Sequence, residues 1–189
     1  MTEEAKEQVI AKMEEIGPAV GVVLNINMES YFDVLTGLVD TLSKKKNLNC
    51  IYIASSVSAS TISSALTSLD INTKHMHFVD CVSYGIMESL DGAENAVYVE
   101  SQTMLENIVL KVEYMFKKME GKPCLVILDS INSMAMSNAT GILSEFVQVL
   151  MALLKSKGAY IVVLSVDEQL KPDLREMLSL VSDQIVTIK

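Results

Sequence analysis

The stretch Cys124-Leu125-Val126-Ile127-Leu128-Asp129-Ser130 decides how the rest of the chain is read. Its apolar run is continuous rather than alternating, which marks a strand covered on both faces, as in a parallel sheet between two helical layers. It stops abruptly at Asp and Ser, residues that turn a chain or cap a helix. Similar short apolar runs recur at Ala19–Ile26, Cys50–Ala54, His75–Val79, Ala96–Val99, Ala159–Ser165 and Gln184–Ile188. Between them, Tyr31–Ser43, Ser58–Leu69, Thr103–Met119, Gly141–Ser156 and Pro172–Leu180 carry apolar residues at helical spacing. Ser-rich sequence offers an N-cap for the second of these helices, and Thr103-Met104-Leu105-Glu106 fits a capping box for the third. Strands alternating with helices of this length predict βαβ units, and right-handed crossovers put helices on both faces. The expected fold is a three-layer α/β/α domain with a mostly parallel sheet.

The chain has 189 residues, which suits one domain over 1–189, with 1–16 as an N-terminal helical extension whose apolar stripe is Val9, Ile10, Met13 and Ile16. Half the residues are apolar and 21% are charged, which excludes wholesale disorder. Lys and Arg total 15 against 24 Asp and Glu, a net charge of −9, so no nucleic-acid partner is expected. Mean hydropathy is high at +0.33, yet no run of about 18 uncharged apolar residues occurs, so no membrane partner is expected either. The acidic start MTEEAKEQVIAKMEEIG is unlike a signal peptide, and a cytoplasmic location is expected. Cys50, Cys81 and Cys124 have no CxxC spacing and lie in or beside apolar runs. They read as reduced, buried, small apolar residues, with a metal or redox site as the alternative.

In an open parallel sheet, ligands bind at the carboxyl ends of the strands. A phosphate loop there needs Gly for backbone wrapping, Lys for charge and Ser or Thr for magnesium. From Val22 to Thr36 there is no Gly, Lys or Arg, and Glu29 and Asp33 add negative charge. Ser30 with Asp33 reads as a helix cap. Asp129, after four apolar residues, looks like the metal-supporting Asp of a Walker B strand, and equally like an ordinary turn or cap residue. His75 and His77 share a strand face, but only Asp80 and Cys81 stand near, too few for a zinc site. No GxSxG elbow is present. The 12 Met residues, among them Met115, Met119, Met151 and Met177, read as core filling, with an adaptable interaction surface as the alternative. Lys44-Lys45-Lys46 reads as a solvated helix end.

From Ile16 to Lys189 the chain resembles the RecA-like ATPase superfamily, in particular the archaeal and bacterial branch related to the clock protein KaiC and the recombinase RadA. The resemblance rests on Val22–Ile26 followed by a helix, on Cys50-Ile51-Tyr52-Ile53-Ala54 with its Ser-rich sequel, and on His77–Ser83. It rests further on Lys122-Pro123 leading into Leu125–Ser130, and on the closing run Leu180–Ile188. It implies a P-loop NTPase-type fold and side-by-side assembly into homo-oligomers. It also implies a nucleotide crevice, of which only Asp129 and Ser130 match the family's site; Asn27 and Ser30 stand where the phosphate loop belongs. The family's catalytic Glu after the second strand is replaced by Ala54-Ser55-Ser56, and the region of its polar sensor reads Ser165-Val166-Asp167. The expectation is a degenerate Walker A loop and a non-catalytic pseudo-ATPase with no resident cofactor. Such a domain would act through a protein partner or self-association. The alternatives are a nucleotide-binding ATPase-like protein with an altered loop, with weak nucleotide or magnesium binding, and a small-molecule sensor in the vacated crevice.

Overall fold

The structure is a computed structural model that describes residues 3–84, 95–119 and 121–188. Helix α1 (Glu3–Ile16) precedes β1 (Gly21–Ile26). Then come α2 (Tyr31–Thr36), a π-helical segment (Gly37–Leu42), α3 (Ser43–Lys46), β2 (Asn49–Ala54), α4 (Ala59–Ser68), β3 (Met76–Asp80) and β4 (Ala96–Tyr98). The second half runs α5 (Leu105–Lys118), β5 (Cys124–Asp129), α6 (Ile131–Met134), α7 (Thr140–Ser156), β6 (Tyr160–Val166), a 3-10 turn (Asp167–Gln169), α8 (Pro172–Val181) and β7 (Gln184–Ile188).

The strands form one seven-stranded sheet in the order β4-β3-β2-β5-β6-β1-β7, and every pairing is parallel. From β1 the chain crosses to β2 and steps outward to β3 and β4. It then returns to β5 and steps the other way through β6 to β7. With right-handed crossovers, the two directions of travel put their helices on opposite faces. The core divides accordingly. Apolar residues of α1, α2, the π-helical segment and α4 pack on one face with Leu24, Tyr52 and Ile127. Those of α5, α7 and α8 pack on the other with Val23, Ile53 and Leu128. The continuous apolar runs of β1, β2 and β5 are therefore those of strands buried on both sides.

The stripe of α1 is covered by its own chain. Ala5, Val9 and Met13 are fully buried, and the helix lies against α2, the π-helical segment and β7. Gly37 permits the approach: a Cβ there would meet Val9 Cγ1 at 2.8 Å and the Lys6 carbonyl at 3.1 Å. The lysine run is also engaged. Lys44 pairs with Asp40 at 2.6 Å, and Lys45 and Lys46 reach Glu14 of α1 at 2.8 and 3.5 Å. All three lysines stay exposed at the end of α3, as expected of a solvated helix end, and two of them also reach across to α1.

Ser58 caps α4, accepting the Thr61 N–H at 3.2 Å. The capping box at Thr103 does not form. Helix α5 begins at Leu105 with Met104 at the N-cap and no side-chain cap bond, while the Thr103 hydroxyl pairs with that of Ser101 at 2.9 Å. Met115, Met119, Met151 and Met177 fill the core between α5, α7, α8 and the sheet. All three cysteines are free and buried. Burial raises their thiols, that of Cys81 to about 12 and that of Cys124 to about 11. Among the described residues no helix is long and apolar enough to cross a membrane.

Two outcomes follow from this packing. Met13→Ala should destabilise the fold by about 2–5 kcal/mol, read as a lower urea midpoint at unchanged slope; an unchanged midpoint would show that α1 is not part of the core. Thiol labelling of the native protein should be slow at Cys50, Cys81 and Cys124 and become fast in denaturant; fast native labelling would contradict their burial.

Candidate functional site

The crossover pattern creates two places where neighbouring strands send their connections to opposite faces, β2/β5 and β1/β6. The polar residues singled out from the sequence lie at these two places.

At the first, Asp129 is the last residue of β5 and pairs in register with Ala54 of β2. Strand alternation turns its side chain toward the α2 layer, like Leu125 and Ile127, and only 1% of it is exposed. Tyr52, two residues before Ala54 and on the same face, donates its hydroxyl to Asp129 Oδ2. Tyr31, the first residue of α2, donates to the same oxygen. The two hydroxyls are 3.1 Å apart, so they close over the carboxyl together. Asp129 Oδ1 is buried without a hydrogen-bond partner. Burial pushes the Asp129 carboxyl above the usual carboxylate range, opposed by the tyrosine donors. Burial and the adjacent Asp129 charge raise both tyrosines.

The Asp129 backbone is held as firmly. Its carbonyl accepts the N–H groups of Ser55 and Ser56 at 2.8 and 3.1 Å and their hydroxyls at 2.9 and 3.2 Å. The Asp129–Ser130 peptide is cis. Ser130 Oγ accepts the Ser133 N–H at 3.5 Å and caps α6. Asn132 of that helix makes a two-way bond to the Val166 backbone, donating at 3.1 Å and accepting at 2.8 Å, which ties α6 to the end of β6.

At the second place, the loop after β1 is closed on itself. Asn27 Oδ1 accepts both the N–H of Ser30 at 2.8 Å and its hydroxyl at 2.6 Å. The Met28 N–H donates to Glu168 Oε1 at 3.2 Å. Ser30 is thus not a side-chain cap of α2; its hydroxyl fastens the loop instead. Asn25 donates to Asp167 Oδ1 at 2.8 Å, and Arg175 reaches the same oxygen at 2.8 Å.

Asn27 and Ser30 therefore bond to one another. Asp129 faces the tyrosines and Ser130 caps a helix. Tyr31, which follows Ser30 and bonds to Asp129, links the two pairs. Sequence reasoning missed Tyr52 and Glu168 as site residues, and placed Tyr31 only as the start of a helix. Tyr52 had a signal, since a phenol inside an apolar strand must find a hydrogen-bond partner. Glu168 had none, being 140 residues from Met28. The histidines do not come together as a ligand pair: His75 precedes β3 and binds the Val39 carbonyl at 2.8 Å. No cluster of three or more His, Cys, Asp or Glu suited to a metal ion occurs among the described residues.

No family model matches the sequence, and no curated protein matches it. Solved structures do match the fold. A KaiC-like protein from the hyperthermophilic archaeon Pyrococcus horikoshii superimposes with a TM-score of 0.65 at 11% identity, covering 90% of this chain and 72% of that one. A second Pyrococcus horikoshii protein gives a TM-score of 0.63 at 7% identity, covering 96% of this chain and 87% of that one. The α/β architecture is thus that of KaiC-like proteins, as the resemblance implied.

The buried carboxyl makes a pH-dependent prediction. A raised folded-state value means that Asp129's contribution is fully present below the ordinary value of 3.8 and is lost as pH rises through the folded value. Native protein should therefore lose stability relative to Asp129→Asn as pH rises from the acid range, in urea titrations. Parallel stability curves would contradict the burial. Tyr52→Phe should cost about 1.5–3 kcal/mol at neutral pH, and clearly less in an Asp129→Asn background.

Proposed function

We propose that this chain is a non-catalytic RecA- and KaiC-like domain whose nucleotide crevice is refilled by its own side chains, and that it acts as a regulatory or scaffolding partner through protein contacts or self-association. The observation that carries this is the closure of Asp129 beneath the hydroxyls of Tyr31 and Tyr52. A carboxyl in that position would need to face a metal. Here its Oδ2 is taken twice, and it is almost wholly buried.

The loop after β1 supports the same conclusion. A triphosphate brings several negative charges, and their desolvation must be offset by N–H donors and cations. The Met28 and Ser30 N–H groups are already bonded to Glu168 and Asn27. The N-terminus of α2 supplies about half a positive charge at most, against Glu29, Asp33 and Glu168. The residues present do not fit a magnesium nucleotide. Ser55 and Ser56, which stand at the catalytic Glu position, bond to the Asp129 carbonyl rather than to a space where water could be activated.

The unpartnered Asp129 Oδ1 favours one alternative, a small ligand or cation that reaches the carboxyl when α2 shifts. Nucleotide binding and turnover test the proposal. A bound nucleotide at 100 times its dissociation constant would stabilise the fold by about 2.7 kcal/mol, a thermal shift on the order of 5–10 °C. The expected result with ATP, ADP or GTP plus magnesium is no shift, with ATP turnover at buffer background in both the native protein and Asp129→Ala. Magnesium-dependent turnover that Asp129→Ala abolishes would overturn the proposal.

A further inference from the structure

On the face of the domain opposite the Asp129 cluster, α5 and α7 leave an open groove of about 420 Å³ between them. Leu105, Val109 and Phe146 form its apolar floor. Its walls repeat one pattern on both helices, a Glu followed four residues later by a large apolar residue: Glu106 and Leu110 on α5, Glu145 and Val149 on α7. Ile142 extends the α7 wall by one turn. Leu110, Ile142 and Val149 are 60%, 55% and 56% exposed, far more than the core positions beside them. Clustered exposed apolar side chains along one groove are characteristic of an interaction surface, unlike apolar residues scattered singly.

The groove's shape and charge specify its occupant. From Ile142 to Val149 the α7 wall rises about 10 Å, or two helical turns, the length over which a helix presents apolar residues at i, i+3, i+4 and i+7. Among the described residues, two carboxylates line the groove and no cation does. A second copy of this chain applying the same face would bring Glu106 and Glu145 against their counterparts, on a molecule of net charge −9. We infer that this groove docks an amphipathic helix of a different protein, with Lys or Arg flanking its apolar stripe to meet Glu106 and Glu145. The inference rests on the proposed role of the chain as a protein-binding domain, and it adds where the partner binds and of what chemistry it is.

The test uses the full chain and two designed helical peptides that share a Leu stripe at i, i+3, i+4 and i+7 and carry flanking Lys in one and Glu in the other. Fluorescence anisotropy should show the Lys peptide binding about tenfold more tightly, as expected when exposed ion pairs replace like-charge contacts. Its affinity should weaken with salt. The double variant Glu106→Lys with Glu145→Lys should reverse the preference. The same charge change at exposed Glu4 and Glu7 should leave it intact, which separates docking in the groove from general attraction to an acidic protein. Leu110→Ser with Val149→Ser should lower affinity for the Lys peptide at least tenfold while leaving the circular dichroism melt unchanged. Equal binding of the two peptides, a preference that Glu4→Lys with Glu7→Lys abolishes as well, or a dimer in sedimentation that Leu110→Ser with Val149→Ser dissolves, would each overturn the inference. None of these outcomes depends on ATP turnover, so failure here is distinguishable from failure of the non-catalytic proposal.

Discussion

The buried Asp129 carboxyl organises the centre of this sheet's carboxyl edge. Asp129 ends the central strand β5 at a place where crossovers leave toward opposite faces, and its two halves do different work. The backbone carbonyl gathers the Ser55 and Ser56 donors and fixes the chain as it leaves β2. The side chain gathers Tyr52 from within the sheet and Tyr31 from the start of α2. A carboxyl removed from water is costly unless it is hydrogen-bonded, so the position of α2 over the sheet is coupled to the satisfaction of this group. The loop that leads into α2 is closed between Asn27 and Ser30 and tied to Glu168 beyond β6, and the π-helical segment that follows α2 packs on α1.

The architecture was largely legible in the sequence because it depends on patterns that survive without knowledge of neighbours. Unbroken apolar runs such as Leu125–Leu128 announced strands buried on both faces, and the alternating amphipathic segments announced the crossovers. Helix ends were legible only where a cap acts locally. Ser58 caps its own helix as expected, whereas Thr103 binds Ser101 and leaves the cap to Met104. The α1 stripe was visible as amphipathic, but its cover was not, because Gly37 and its closeness to Val9 are facts of tertiary approach.

The candidate site was legible in what it lacks and illegible in what replaces it. The missing Gly and Lys between Val22 and Thr36 could be read directly. The partners that fill the space come from far along the chain: Glu168 meets Met28, and Tyr52 meets Asp129 across 77 positions. Those meetings follow from strand register, above all the pairing of Ala54 with Asp129, and register between non-adjacent segments is not written in either segment alone. The likeness to these solved structures carries the fold and leaves the chemistry to these residues, since identity at 11% and 7% says nothing of a shared site.

The central claim is that the crevice donors are already spent on the chain's own side chains. The most direct measurement is a ¹H–¹⁵N spectrum of the labelled protein, following the Met28 and Ser30 amides as magnesium ATP is added. The account predicts that both resonances stay in place at millimolar nucleotide and that the Ser30 amide is protected from hydrogen exchange without it. Saturable shifts at Met28 and Ser30 that vanish in Asp129→Ala would show an open phosphate site and contradict the account.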